Sequence, residues 1–379
     1  MIKKILINIL LVIVPFIIVE STARIVYSLR HTDTALDNKK HYIQAHDTLH
    51  HVWTPGIYYL SPRNIDVKLI INNQRFVEKE NISKTPSENS LRGFFVGDSN
   101  VQGVVNFEDK MVEIVENNFR SIKDKFDVNS VEFINSGTSS YSPLIYYIKI
   151  KKYLIKYSPD FVFICVDMTD LANDYVYEKY AIKNSEGLPY RIIGEETKSF
   201  VLTPTGYTKR SFLERIKLIL IDYSKTVYYL DRLYYKTATP TKNTDTEIPK
   251  TTEVANWLKE PYDSSTESAI KNTFHYLEKI FEILQRKDIQ VFLTGVPHYP
   301  QYTGRWSAKP HFLLDTLAKV NDVPYLNTYE ELKPIIEGSE KHEYYFKSDP
   351  THLNVKGNWV WSDIVTEFMI DNLMLSENK

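Results

Sequence analysis

From Gly93 to the C-terminus, apolar runs of strand length alternate with segments whose apolar residues recur at the helical period, and few architectures accept that succession. "GFFVG" reads as a strand, and "FEDKMVEIVENNFRSI" sets Met111, Ile114, Val115 and Phe119 on one helical face. "SVEFINSG" is a second strand, "PLIYYIKIKKYLIKY" a helix with Pro143 in its first turn, and "PDFVFICV" a third strand. After an interruption the pattern resumes with helix "ESAIKNTFHYLEKIFEILQRK", strand "IQVFLTGVP", helix "KPHFLLDTLAKVN", short strand "VPYLN" and a last helix around "NVKGNWVWSDIVTEFMIDNLML". The expected fold class is therefore α/β, a central parallel sheet covered by helices on both faces. Ligands of such sheets bind beyond the carboxyl ends of the strands. "GDSN", "NSGTSSYSP" and "DMTDLAND" each follow an expected strand, which puts all three on one rim.

The interruption, residues 178–264, reads as a loop-rich insertion, and its stretch "KTATPTKNTDTEIPKTTE" as a mobile loop. Ahead of the alternation, residues 29–90 read as a polar lead-in arm with β-like pieces, "IYYL" and "DVKLIINNQRFV", broken by Pro55, Pro62 and Pro86. The arm holds His31, His41, His46, His50 and His51; His46 and His50 have the i, i+4 spacing of some metal sites. No Cys or Glu stands at ligand spacing beside them, so a solvated segment is expected and no metal or cofactor.

Residues 1–28 carry a different message. Lys3 and Lys4 precede an almost unbroken apolar run from Ile5 to Val19, which is how a chain is sent across a membrane. Ser21-Thr22-Ala23 has the small side chains of a cleavage site, but apolar residues return at Ile25, Val26, Tyr27 and Leu29. That length favours an uncleaved single-pass anchor in the cytoplasmic membrane over a signal peptide, with the rest of the chain extracytoplasmic. A formal net charge of -2 gives no electrostatic reason to expect a nucleic acid partner. Cys165, the single cysteine, sits inside "FVFICV" as a small buried thiol, and no disulfide framework is possible.

One strand ends in an unusual way. In "RGFFVGDSNVQG" the apolar run stops at Gly97-Asp98-Ser99-Asn100, a turn that lifts the Ser99 hydroxyl to the end of the sheet. A nucleophilic serine needs a base and a group to orient that base. "KSDPTHLNVKGNWVW" supplies Asp349 and His352, near enough for one loop to hold the carboxylate against the imidazole.

"GFFVGDSNVQG", "EFINSGTSSYSP", "PDFVFICVDMTDLAND" and "DPTHLNVKGNWVW", in this order, resemble the blocks of the SGNH (GDSL-like) hydrolase superfamily, and "INNQRFVE" resembles the segment before the serine block of membrane-anchored bacterial members. The resemblance runs from about Leu91 to the C-terminus. It implies a three-layer α/β/α fold over residues 91–379 and an esterase, lipase, deacetylase or acyltransferase. It also implies Ser99 as nucleophile, His352 as base, Asp349 as its orienter, and the N–H groups of Ser99 and Gly137 as oxyanion donors. The third block departs from the pattern. Where the family has an asparagine as side-chain oxyanion donor, this chain has Thr169, and Asn173 comes one helical turn later; either is a candidate. The loops "NVQGVVNFED" and "GTSSYSP" are polar or small, with Tyr141 available to stack on a sugar, which favours small O-acyl, foremost O-acetyl, esters of surface glycans. The alternative is a catalytically silent member that binds polysaccharide or assembles with glycan-export machinery.

Overall fold

A computed structural model of the chain describes residues 2–30, 43–60, 67–194, 200–203, 206–209, 213, 216, 220, 223–238, 255–347 and 349–377. It opens with helix α1, Ile2–Arg30. Two antiparallel hairpins follow, β1 (Ile43–His46) with β2 (His50–Trp53) and β3 (Gly56–Leu60) with β4 (Val67–Ile71). Then come the five strands of the main sheet: β5 (Ser90–Val96), β6 (Ser130–Asn135), β7 (Phe161–Asp167), β8 (Gln290–Val296) and β9 (Tyr325–Leu326). They lie in the order β9-β8-β7-β5-β6 and every pairing is parallel. The chain steps from β5 to β6 on one side, then crosses to β7 on the other. The carboxyl end of β5 is thus the switch point where a crevice opens.

The helices are α2 (Ser99–Gln102), α3 (Met111–Ser121), α4 (Pro143–Lys152), α5 (Asp170–Tyr177), α6 (Lys225–Ala238), α7 (Ser264–Gln285), α8 (Lys309–Val320), α9 (Thr328–Ile336) and α10 (Val355–Glu377). Alternate strand residues feed two separate cores. Phe94, Val96, Val162, Ile164, Val291 and Leu293 pack with α4, α7 and α8. Phe95, Phe161, Phe163, Cys165 and Phe292 pack with α3, α9 and α10. Strands buried on both faces have no polar side to show, which is why β7 is apolar from Phe161 to Val166. The expected three layers are present, and Cys165 is fully buried.

The anchor and the histidine segment differ from expectation, and the insertion gains detail. The anchor expected over residues 1–28 is helical, but among the described residues no helix is long and apolar enough to cross a membrane; the side chains of residues 2–10 lie outside that description. Instead, α1 makes a polar contact: Glu20 accepts hydrogen bonds from Ser224 Oγ (2.7 Å) and from the N–H groups of Lys225 and Thr226 at the start of α6. Within residues 178–264 the described residues include α6 and two hairpins, Ala181–Lys183 with Pro189–Ile192 and Phe200–Thr203 with Gly206–Lys209, while the stretch expected to be a mobile loop falls largely outside the described residues. His31 and His41 lie outside the described residues, and the described part of the histidine segment is not solvated. His46 pairs with His50 across the β1–β2 turn, His50 and His51 are buried, and His46 Nδ1 accepts from the N–H groups of Thr48 and Leu49. Leu49, Val52 and Phe76 join the core under α4, so the lead-in arm packs on the sheet domain.

Candidate active site

Ser99 is the first residue of α2, directly beyond the end of β5. Asp98 caps that short helix by accepting from Asn100 N–H at 2.8 Å, which fixes the turn and leaves Ser99 partly exposed. Ser99 Oγ lies 2.7 Å from His352 Nε2. On the other side of the ring, His352 Nδ1 lies 3.0 Å from Asp349 Oδ2. Asp349 begins a short strand, β11 (Asp349–Leu353), paired with β10 (Tyr345–Phe346). Residues three apart on a regular strand face opposite ways, but the register shifts between Tyr345 and Phe346, and the irregularity brings the two side chains together. Thr351 N–H and Thr351 Oγ–H both donate to Asp349 Oδ1, at 2.9 and 2.7 Å. Oδ2 faces the imidazole Nδ1–H, which Thr351 Oγ1 also approaches at 2.9 Å, and Nε2 on the far side of the ring accepts from Ser99. The structure brings Ser99, His352 and Asp349 into one hydrogen-bonded chain.

The four expected oxyanion donors are not gathered in the same way. Ser99 N–H belongs to the first turn of α2, where N–H groups have no acceptor within the helix. Gly137 N–H donates to Asn135 Oδ1 at 3.0 Å. Thr169 Oγ–H donates to Asp167 Oδ1 at 2.5 Å, so its proton is committed away from any substrate. Asn173 is buried on α5. Gly137 is glycine for a reason other than substrate approach: a Cβ there would stand 2.2 Å from the backbone nitrogen of Gln102. Tyr141 is not available to stack on a sugar at the rim, because its ring is buried and its hydroxyl donates to the carbonyl of His51 at 2.5 Å.

Beneath Ser99 lies a buried polar group that the sequence analysis missed. Asp167 Oδ2 accepts from Asn100 Nδ2 and pairs with His298 Nε2, both at 2.8 Å. Asp170 Oδ2 accepts from the Tyr146 hydroxyl. Carboxylate oxygens of Asp98, Asp167 and Asp170 come within 4.8 Å of one another, the only such grouping among the described residues that could hold a metal ion. Protons can answer for this charge. Burial, and then the Asp167 charge, push Asp98 up to about 7, and burial drives Asp170 well above the carboxylate range. For Asp167 burial acts in the same sense, yet His298 and the Thr169 bonds together outweigh it and hold the group below its ordinary value. Asp170 Oδ1 is buried without a hydrogen-bond partner of either kind, which adds to the cost of carrying a charge there. A signal existed: Asp167 ends β7, and His298 follows β8 where Val296 pairs with Asp167. Two polar residues at the carboxyl ends of neighbouring strands share a rim.

No described protein family matches the chain. No curated protein matches it either. Among solved structures, it is similar to a two-domain esterase active on acetylated mannans, at 13% identity and a TM-score of 0.37, covering 75% of this chain and 49% of that one. It is also similar to a catalytic mutant of an acetylxylan esterase from Geobacillus stearothermophilus, at 9% identity and 0.41, covering 74% and 94%. A third is a putative acylhydrolase from Bacteroides fragilis, at 14% identity and 0.39, covering 76% and 91%. The chain thus spans about half the length of the mannan esterase.

Proposed function

We propose that the protein is an extracytoplasmic serine esterase that removes small O-acyl groups, foremost O-acetyl, from glycans. The observation that carries this reading is the chain Ser99 Oγ, His352, Asp349, with distances of 2.7 and 3.0 Å, at the switch point of a parallel sheet. In the reaction Ser99 Oγ attacks the ester carbonyl carbon while its proton passes to His352 Nε2. The C–O bond to the sugar then breaks, and His352 returns the proton to the departing sugar oxygen. Water, deprotonated by the same imidazole, attacks the acyl-enzyme and releases acetate. Asp349 holds the imidazole in the required tautomer and stabilises its charge. A small acyl group is favoured by the sequence around Ser99, where the loops "NVQGVVNFED" and "GTSSYSP" are mostly polar or small and offer no long apolar segment for an acyl chain. The location rests on the sequence, on Lys3 and Lys4 ahead of the apolar run from Ile5 to Val19.

A second reading, a glycan-binding protein without turnover, is favoured by the engagement of Gly137 N–H and Thr169 Oγ–H elsewhere. Removing one oxyanion donor costs about 10²–10³ in rate, so two diverted donors bear on the choice. Fluorophosphonate labelling decides between them. Covalent labelling of the wild type, absent in Ser99→Ala, with faster cleavage of aryl acetate than aryl decanoate, is the expected result. No labelling and no acetate released from acetylated xylan would leave the binding reading.

A further inference from the structure

Away from the triad, a cavity of about 320 Å³ opens between the β1–β2 hairpin, the loop after β4 and helix α4. Arg75, Lys84, Lys149 and Lys156 line it, and no Asp or Glu does. Among the described residues none of the four cations stands in an ion pair. Arg75 has a neutral partner, the amide oxygen of Gln44, which accepts from its guanidinium once that amide is turned to face it. Lys149 is only 6% exposed, and its Nζ donates to the carbonyl of Ser136 (2.6 Å) and to Thr138 Oγ1 (3.2 Å). An ammonium has three donors, and beside these two bonds Nζ lies 5.1 Å from the centre of the Tyr141 ring, which lines the cavity as well.

The presentation of Arg75 is built, not incidental. Its φ of 71° lies in the left-handed region, which a long side chain rarely adopts. Asn72 Oδ1 fixes that turn by accepting from the N–H groups of Gln74 and Phe76, both at 3.0 Å. A strained residue held in place beside a cavity is a pointer to a ligand. Trp53, Tyr153 and Tyr157 add aromatic rings to a wall that also holds Leu49, Val52 and Leu154. A planar guanidinium fork matches a carboxylate, aromatic faces match the C–H face of a sugar ring, and the volume lies at the small end of ligand pockets.

We propose that this cavity binds a carboxylate-bearing sugar unit of an acidic glycan, with Arg75 and Lys149 on its carboxylate and the exposed Lys84 and Lys156 reaching the carboxylates of neighbouring units. The site requires no covalent step and stands whether or not Ser99 turns over an ester. Burial pushes Lys149 down to about 7, and an anion beside it draws the group back to the charged form.

The test titrates the full chain, wild type and Ser99→Ala, with trigalacturonate, maltotriose and inorganic phosphate, read by calorimetry and tryptophan fluorescence. Trigalacturonate is expected to bind saturably and equally to both proteins and to weaken with added salt, while maltotriose does not bind. Arg75→Gln and Lys149→Met should each weaken the uronate at least tenfold. Lys156→Gln, at an exposed position that cannot disturb the core, should weaken it a few-fold. No saturable uronate binding, equal binding of maltotriose, phosphate binding as tightly as the uronate, or unchanged affinity in folded Arg75→Gln and Lys156→Gln would each overturn the proposal.

Discussion

Thr351 decides what Asp349 can do. With its N–H and hydroxyl both on Oδ1, Oδ2 is turned to the imidazole, and a carboxylate there accepts from Nδ1–H. An amide in its place would keep the shape but could turn its NH2 to the ring, selecting the tautomer whose Nε2 carries a proton and cannot accept from Ser99. Asp349→Asn is therefore expected to lower kcat for an aryl acetate by about 10⁴-fold with the melting temperature unchanged. A wild-type rate would reduce Asp349 to a turn residue. That Ser99, Asp349 and His352 could meet was legible in the sequence from the Gly-Asp-Ser turn that ends a strand, from the three-residue spacing of Asp349 and His352, and from the resemblance of both blocks. Gly137 and Thr169 as oxyanion donors were not settled by it. Whether an N–H or a hydroxyl is free depends on a neighbour two residues away, Asn135 or Asp167, and spacing alone does not report which way that side chain turns.

At the scale of elements, the position of Ser99 depends on how closely α2 can approach the loop after β6. Asn135 Nδ2 donates to the carbonyl of Val101, and Gly137 lies against the backbone of Gln102. The lead-in arm braces the same loop from the other side, with Trp53 Nε1 donating to Gly137 C=O at 3.4 Å and His51 Nε2 against the carbonyl of Ser139 at 2.8 Å. Gly137→Ala would drive a Cβ into backbone at 2.2 Å, and backbone cannot swing aside as a side chain does. The expected result is a loss of about 1–3 kcal/mol in chemical denaturation together with a fall in esterase rate, because α2 carries the nucleophile. Full activity and stability would mean that α2 is not held there. The alternation of strands and helices was readable from periodicity, a local property. The docking of the arm was not, because it rests on contacts between segments far apart in sequence whose polar residues look solvated until they are paired.

The whole molecule holds ionisable groups in its interior, and they make its stability depend on pH in ways that single variants can separate. Lys149 is the clearest case, because burial alone is the cause that pushes it from 10.5 down to about 7. Between those values the unfolded chain binds a proton at Lys149 that the folded protein releases. Stability from this group therefore rises as pH climbs from 7 toward 10.5, and is level below 7, where both states are charged. Other buried groups act in the opposite sense at lower pH: Asp174 and Glu116, raised to about 7, lower stability as pH rises toward 7. The total is a sum of conflicting contributions, but the difference between wild type and Lys149→Met isolates one group. That difference is expected to move in favour of the wild type by about 2 kcal/mol between pH 7 and pH 9, and to stay flat from pH 5 to 6, in urea unfolding followed by circular dichroism. If the lysine stayed charged in the folded state across that range, held so by Ser136 and Thr138, the two curves would run parallel from pH 7 to pH 9. Adding saturating trigalacturonate should produce that parallel behaviour in the wild type, since a bound carboxylate keeps the ammonium protonated.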